Sequence, residues 1–269
     1  MNSMTPPMPA LFLGHGNPMH ALVPGPLTRI WGELGQRLPV PEAILVISAH
    51  WQTPVPAVTA MALPRTIHDF GGFPKALYQI RYRCPGHPDL AREIIDTLSS
   101  EYPIVADQDW GLDHGAWSLL KYLYPDANIP VLQLSLATGM SVQEHYAFST
   151  RLKWLRKKGV LILGSGNIVH HLGMLQWEET APTHEWAIRF DQKVRTAIRE
   201  EDQRFLLNPG STNEGKLAVP TLEHYLPLLY VLGVASPEDT ISFPAEGIIE
   251  LGAISMTSVL LEYAPPPAR

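Results

Sequence analysis

The chain has 269 residues, 45% of them hydrophobic and 17% charged, with a formal net charge of −6. That balance suits a globular protein with a sizeable buried core and leaves no basic footprint for a nucleic acid. A single cysteine, Cys84, excludes an internal disulfide framework and favours a reducing, cytoplasmic setting.

Residues 1–9 carry Pro6, Pro7 and Pro9 and read as a disordered lead-in. They lack the basic segment and apolar core of a signal peptide, and no apolar run in the chain approaches the roughly 18 residues of a membrane span. Residues 10–14 then read as a buried strand running into Gly14-His15-Gly16. Residues 26–38 place Leu27, Ile30, Trp31, Leu34 and Leu38 at helical spacing. A second buried strand, Ile44-Leu45-Val46-Ile47, is expected to end at Ser48-Ala49 and deliver His50 at its carboxyl end. Residues 52–88 read as a long Pro- and Gly-rich connection, of the kind that forms a lid or pocket wall. In it, His68, Phe70 and Phe73 of Ile67-His68-Asp69-Phe70-Gly71-Gly72-Phe73-Pro74 are candidates to line a substrate pocket.

Beyond it, helices are expected over 88–99, from about 111 to 124 with Asp113 as cap, over 142–158 and over 185–199. Lys153, Arg156, Lys157 and Lys158, the only basic cluster, read as a solvated helix end before Gly159. Strands are expected at 104–106, 131–136 and 160–163, the last running into Gly164-Ser165-Gly166 and then His170. Residues 200–216 read as a polar connection and 221–232 as a short buried helix containing His224. Strand candidates at 240–243 and 253–261 close the chain. The alternation predicts one α/β domain over 8–262, with a mostly parallel or mixed central sheet flanked by helices and flexible tails at 1–7 and 263–269.

The 11 histidines carry the functional signal. His15 and His50 follow buried strands at matched positions, which points to a metal pair, since neutral imidazole suits zinc and iron alike. His224, a polar ring in an apolar setting, needs a partner, and a ligand role supplies one; adjacent Glu223 competes for it. His170 is the choice for a general acid/base over His171. His114 either points at substrate or oxygen or bonds locally to Asp113. His20, His87, His145 and His184 read as surface or structural.

Six motifs occur in order: Gly14-His15-Gly16-Asn17-Pro18-Met19, Ser48-Ala49-His50-Trp51, residues 67–74, Asp113-His114-Gly115, residues 164–170 from Gly164 to His170, and Glu223-His224-Tyr225-Leu226-Pro227-Leu228. Together they resemble the class III extradiol ring-cleavage dioxygenases, in their DOPA 4,5-dioxygenase-like branch. The resemblance implies an α/β fold and opening of a catechol (DOPA-like) ring by O2 beside, not between, its hydroxyls. It implies that His15, His50 and His224 hold the metal, that His170 is the acid/base and near enough to serve as a fourth ligand, and that His114 meets substrate or oxygen. Fe(II) is the expected cofactor, and Zn(II) is an occupant of the same site that cannot activate O2 by redox. The partners implied are a small catechol and O2, with no nucleic acid and no membrane; oligomeric state is left open. The chain departs from the family at His171, where Asn is common, and at His224, where many relatives use glutamate. A zinc-dependent hydrolase and a non-enzymatic binding module on the same fold are the competing readings.

Overall fold

The near-continuous apolar runs of the sequence become the inner strands of one sheet in the computed structural model, which describes residues 6–178 and 181–265. In chain order the first half runs β1 (Ala10–Gly14), α1 (Pro26–Arg37), β2 (Ala43–Thr53), β3 (Ala57–Thr59), α2 (Lys75–Gln79), α3 (Pro88–Leu98), β4 (Val105–Asp107), α4 (His114–Leu123) and β5 (Val131–Ala137). The second half runs α5 (Val142–Thr150), α6 (Trp154–Lys157), β6 (Val160–Gly166), α7 (Glu185–Arg199), α8 (Gln203–Leu206), α9 (Asn213–Ala218), α10 (Leu226–Gly233), β7 (Asp239–Ser242), β8 (Ile249–Glu250), β9 (Ile254–Ser255) and β10 (Val259–Tyr263).

Eight strands pair in the order β4-β3-β5-β2-β6-β1-β10-β7. The inner four, β5, β2, β6 and β1, are mutually parallel. On one side β10 joins antiparallel to both β1 and β7, and on the other β3 joins antiparallel to β5. The sheet is therefore mixed, as expected of the chain's last strands.

Alternation along β2 sorts its side chains to the two faces. Leu45 and Ile47 pack with Ile94, Phe148, Val194 and Leu229 of α3, α5, α7 and α10. Ile44 and Val46 pack with Trp31 and Leu34 of α1 and Trp117 and Leu120 of α4. Burying side chains of this size is worth about 1.5–3 kcal/mol each, so both helical layers hold the sheet.

Several local expectations are corrected. β2 does not end before His50 but runs to Thr53, with its pairing to β5 shifted between Ile47 and Gln52. The irregularity lies at the very residues that carry the site, where a bulge re-aims side chains. The connection 52–88 contributes β3 to the sheet, and 200–216 contains α8 and α9. The expected helix over 142–158 is broken between α5 and α6. Arg156 is not solvated: it is buried, bidentate to Asp239 at 2.5 and 2.7 Å, and donates to the Met8 and Val234 carbonyls. Its place in a basic run gave no hint of a partner 83 positions away. His224 stands in the turn before α10 rather than within a helix, because Pro227 occupies the first helical turn. Tyr263, expected in the tail, pairs with Asp239 in β10; of the expected tails, residues 1–5 and 266–269 lie outside the described residues.

Candidate active site

Three parallel strands end on one edge of the sheet, and each end brings a histidine or its support. β1 leads into His15, the irregular end of β2 carries His50, and β6 leads through Ser165 to His170. His15 donates its backbone N–H to the Gly166 carbonyl, which locks the first loop to the end of β6. The turn bearing His224 lies directly on the same strand end, with Asn167 donating to the His224 carbonyl at 2.8 Å. Gly166 permits this approach, since a Cβ there would sit 2.2 Å from that carbonyl oxygen. From the other side α4 starts at His114, and Gly115 lets it abut the site, where a Cβ would meet Ser48 Oγ at 2.6 Å and the His50 ring at 3.0 Å.

Five imidazoles meet in this space. His15 and His50 face each other with their Nε2 atoms 3.0 Å apart. The His114 ring centroid is 4.0 Å from that of His50 and 5.6 Å from that of His15. His224 stands 5.4 Å from His15 and 5.2 Å from His50 by ring centroids. His170 stacks on His224, centroids 3.5 Å apart and planes within 7°. Donor atoms of His15, His50 and His114 all lie within 4.8 Å of one another, close enough to share one metal ion.

The rings are oriented from outside through Nδ1. The Ser165 hydroxyl donates to the Gly115 carbonyl, so its oxygen accepts from His15 Nδ1–H at 3.0 Å. Glu223 Oε1 lies 3.1 Å from His224 Nδ1, so Glu223 is the hydrogen-bond partner of the His224 ring. Asp69 Oδ2 lies 2.9 Å from His114 Nδ1 and 3.5 Å from His50 Nδ1. Outer partners of this kind fix the tautomer and leave Nε2 with its lone pair turned inward.

The electrostatics agree. Burial, then the nearby rings, drives His15 and His50 well below the ordinary histidine range, and burial likewise lowers His224. His170 is brought down to about 3, by burial first and then by His224. Burial opposes ionisation of Glu223, but the bonds from His224 and Thr221 outweigh it and bring the carboxyl down to about 2. Imidazoles backed by a hydroxyl and two carboxylates thus converge on a buried centre. With the His15 proton on Nδ1 toward Ser165 and the His50 proton on Nδ1 toward Asp69, two lone pairs face each other at 3.0 Å, a contact that a cation between them would relieve. That spacing is the one expected of two nitrogens about 2.1 Å from one ion and about a right angle apart. Nε2 of His224 is buried with no partner, a cost that coordination would remove. The donor set fits a metal ion.

Asp113 does not bond the His114 ring. It caps α4 at Ala116 N and accepts from Ser48 Oγ and Gln133 Nε2, both at 2.7 Å. Its buried network props the bulge that carries His50, whose N–H meets Ser48 Oγ at 3.3 Å. Phe70 packs its edge against His114 at 5.5 Å and against Phe73 at 5.3 Å, forming an aromatic wall beside the cluster. His68 stands behind that wall, its ring against Phe70, Tyr78 and Trp117 and its Nε2 on the Ile80 carbonyl. His171 packs toward Trp186, away from its neighbour's stack. Sequence reasoning missed Ser165 and Asp69. Their signal was available, since each sits inside a motif that supplies or flanks a chosen histidine, and a ligand histidine needs an Nδ1 partner.

Fold and site together define an α/β protein with a buried imidazole centre at the carboxyl edge of its sheet, the usual place for a ligand in such folds. The chain belongs to the family of the catalytic LigB subunit of aromatic ring-opening dioxygenase, which its residues 9–250 match. It is 45% identical over 256 residues to the 4,5-DOPA dioxygenase extradiol of Escherichia coli (strain K12), covering 94% of each chain. With the Beta vulgaris protein of the same name it shares 36% identity over 264 residues, 92% of this chain and 96% of the relative. A crystal structure of the uncharacterized protein JW3007 from Escherichia coli K12 superposes with a TM-score of 0.82 at 40% identity, covering 94% of this chain and 99% of that one. Extradiol ring cleavage follows from the family and these relatives, so the resemblance carried by the motifs is borne out.

Proposed function

We propose that the protein opens the ring of DOPA or a closely similar catechol with O2, using Fe(II) held by Nε2 of His15, His50 and His224. The observation that carries this reading is the pair of opposed Nε2 atoms 3.0 Å apart beside the unpartnered, buried Nε2 of His224. His114 lies nearer to His50 than His224 does. We nevertheless assign it to substrate or oxygen, because it carries no comparable orphaned atom and opens the aromatic wall.

Bound Fe(II) would supply the redox chemistry that joins O2 to a catechol, which Zn(II) in the same site would not. The chain's own residues do the rest. Asp69 takes His114 Nδ1–H, so His114 presents Nε2 to the pocket, where it can accept a hydroxyl proton. His170, stacked on His224 and outside the opposed His15–His50 pair, is the group we assign to take and return a proton during turnover. Phe70 and Phe73 offer a planar ring an apolar wall, and the burial of His15, His114 and His224 keeps bulk water out. His68 supports that wall from behind. The lone cysteine, Cys84, is buried, consistent with a cytoplasmic protein. Among the described residues no helix is long and apolar enough to cross a membrane.

The test is anaerobic reconstitution with Fe(II), then DOPA and a panel of catechols with O2 uptake and absorbance scanning. Catechol-dependent uptake with a yellow ring-opened semialdehyde is expected, and none from the zinc-loaded protein. Ester or amide turnover by the zinc form without O2 uptake would replace the assignment with a hydrolase.

A further inference from the structure

We propose that Asp69 is a positioning residue that couples the aromatic wall to the metal-binding rings, so that metal occupancy and order in residues 68–73 rise together. The inference rests on the metal assignment above, through His50. Asp69 touches both sides of the site at once. Its Oδ2 faces Nδ1 of His114 at 2.9 Å and of His50 at 3.5 Å, while Oδ1 accepts the backbone N–H of His114 at 2.8 Å. One residue later Phe70 lays its edge on the His114 ring.

The loop has little else to hold it here. Up to Ile67 it is anchored by backbone, with Ile67 N–H on the Leu112 carbonyl and Trp117 Nε1 on the Ile67 carbonyl. Beyond Phe70 come Gly71 and Gly72, around which a Cβ would meet nothing within 4 Å, and Gly72 has φ +79°. Asp69 is therefore the last polar side-chain anchor before a pair of loosely packed glycines, followed only by the Phe70 carbonyl, which accepts from the Tyr78 hydroxyl at 3.4 Å. Burial opposes the ionisation of its carboxyl, but the bonds from His114 prevail and hold it below the usual range.

The coupling follows from electrostatics, since Asp69 Oδ2 faces His50 Nδ1 at 3.5 Å as an ion-pair contact. An imidazole whose Nε2 lone pair is given to a cation has a more polarised Nδ1–H, which binds an anionic acceptor more strongly. A carboxylate waiting at Nδ1 in turn makes Nε2 a better ligand. A metal on His50 thus strengthens the grip on Asp69 and with it the placement of Phe70. By linkage, ordering the wall must raise metal affinity by the same factor.

The probe is Co(II), added without O2 to the metal-depleted full-length protein, read by its visible d–d bands and by amide exchange over 66–74. In the wild type, Co(II) should slow exchange in this segment. Asp69→Asn should bind Co(II) about 10–100-fold more weakly, shift the bands and lose the slowing, while its metal-free circular dichroism stays that of wild type. Asp69→Glu, which keeps the carboxylate, should recover part of the affinity and the bands. Wild-type affinity and bands in Asp69→Asn, or equal slowing of the loop, would overturn the proposal. Unfolding of both metal-free variants would mark Asp69 as a fold anchor and also overturn it. A wild type that binds no Co(II) would instead bring down the metal assignment, and this inference with it.

Discussion

At the scale of single residues, the site turns on which imidazole completes the metal set and which moves protons. His224 and His114 both approach the His15–His50 pair, but only the Nε2 of His224 is a buried atom without a partner. His224→Ala should therefore leave the purified protein with little bound iron, whereas His114→Ala should keep most of its metal and lose turnover. Elemental analysis after anaerobic loading separates the two; the reverse pattern would transfer the ligand role to His114. His170 stacks on His224 without being drawn into the opposed pair. His170→Ala should retain metal while kcat falls about 10²–10⁴-fold, the usual worth of a general acid or base. His171→Ala should be mild, since that ring packs toward Trp186. Equal losses from both substitutions would remove the distinction between them.

Single elements matter here mainly through close approach. The end of β6 can carry the His224 turn only because Gly166 has no side chain, its hypothetical Cβ lying 2.2 Å from a carbonyl oxygen. Gly166→Ala forces the turn outward and should cost about 1–3 kcal/mol, the range for overpacking a filled interior. Metal affinity should fall with it, because His224 moves with its backbone. Gly71→Ala is the control, having open space around it, and should change unfolding by less than about 1 kcal/mol. Urea midpoints of the metal-free variants test both; a Gly166→Ala protein as stable as wild type would show that the turn is not held against the strand.

For the molecule as a whole, the neutral buried histidines set a pH dependence. Besides the site rings, His145 is buried against the Tyr230 hydroxyl at 2.9 Å, and burial takes it down to about 4. In the unfolded chain such groups take up protons near pH 6.5, while in the folded protein His145 stays neutral to about 4. Acid therefore favours the unfolded state. The loss begins as pH falls through about 6.5 and is complete for His145 near 4, at about 1.4 kcal/mol per pH unit for each such ring. The metal-free protein should accordingly have a lower urea midpoint at pH 5.5 than at pH 7.5. His145→Gln should make that dependence shallower by about one proton; an unchanged slope would show that His145 is not held neutral.

What the sequence alone determined is whatever is local and periodic. Apolar runs with no polar alternation, such as Ile44–Ile47 and Val160–Leu163, can satisfy themselves only when covered on both faces, so they had to be inner strands. Helices α1 and α3 followed from apolar residues at helical spacing, and α4 from its Asp113 cap. Glycines flanking histidines marked where backbone would come close to a centre. The tertiary structure alone decided which partners meet. Ser165 reaches His15 across 150 positions, Asp69 reaches His114 across 45, and Arg156 disappears beneath Asp239. It also decided that β2 continues past its apolar run with shifted pairing, and that His224 sits in a turn rather than a helix. Such features depend on strand order and on which loops the sheet edge brings together, and no local period encodes either. Imidazole positions were legible because their chemistry is rare, while their anionic and hydroxyl supports were not, because Asp, Glu and Ser are common on any surface and acquire their meaning only from the ring they face.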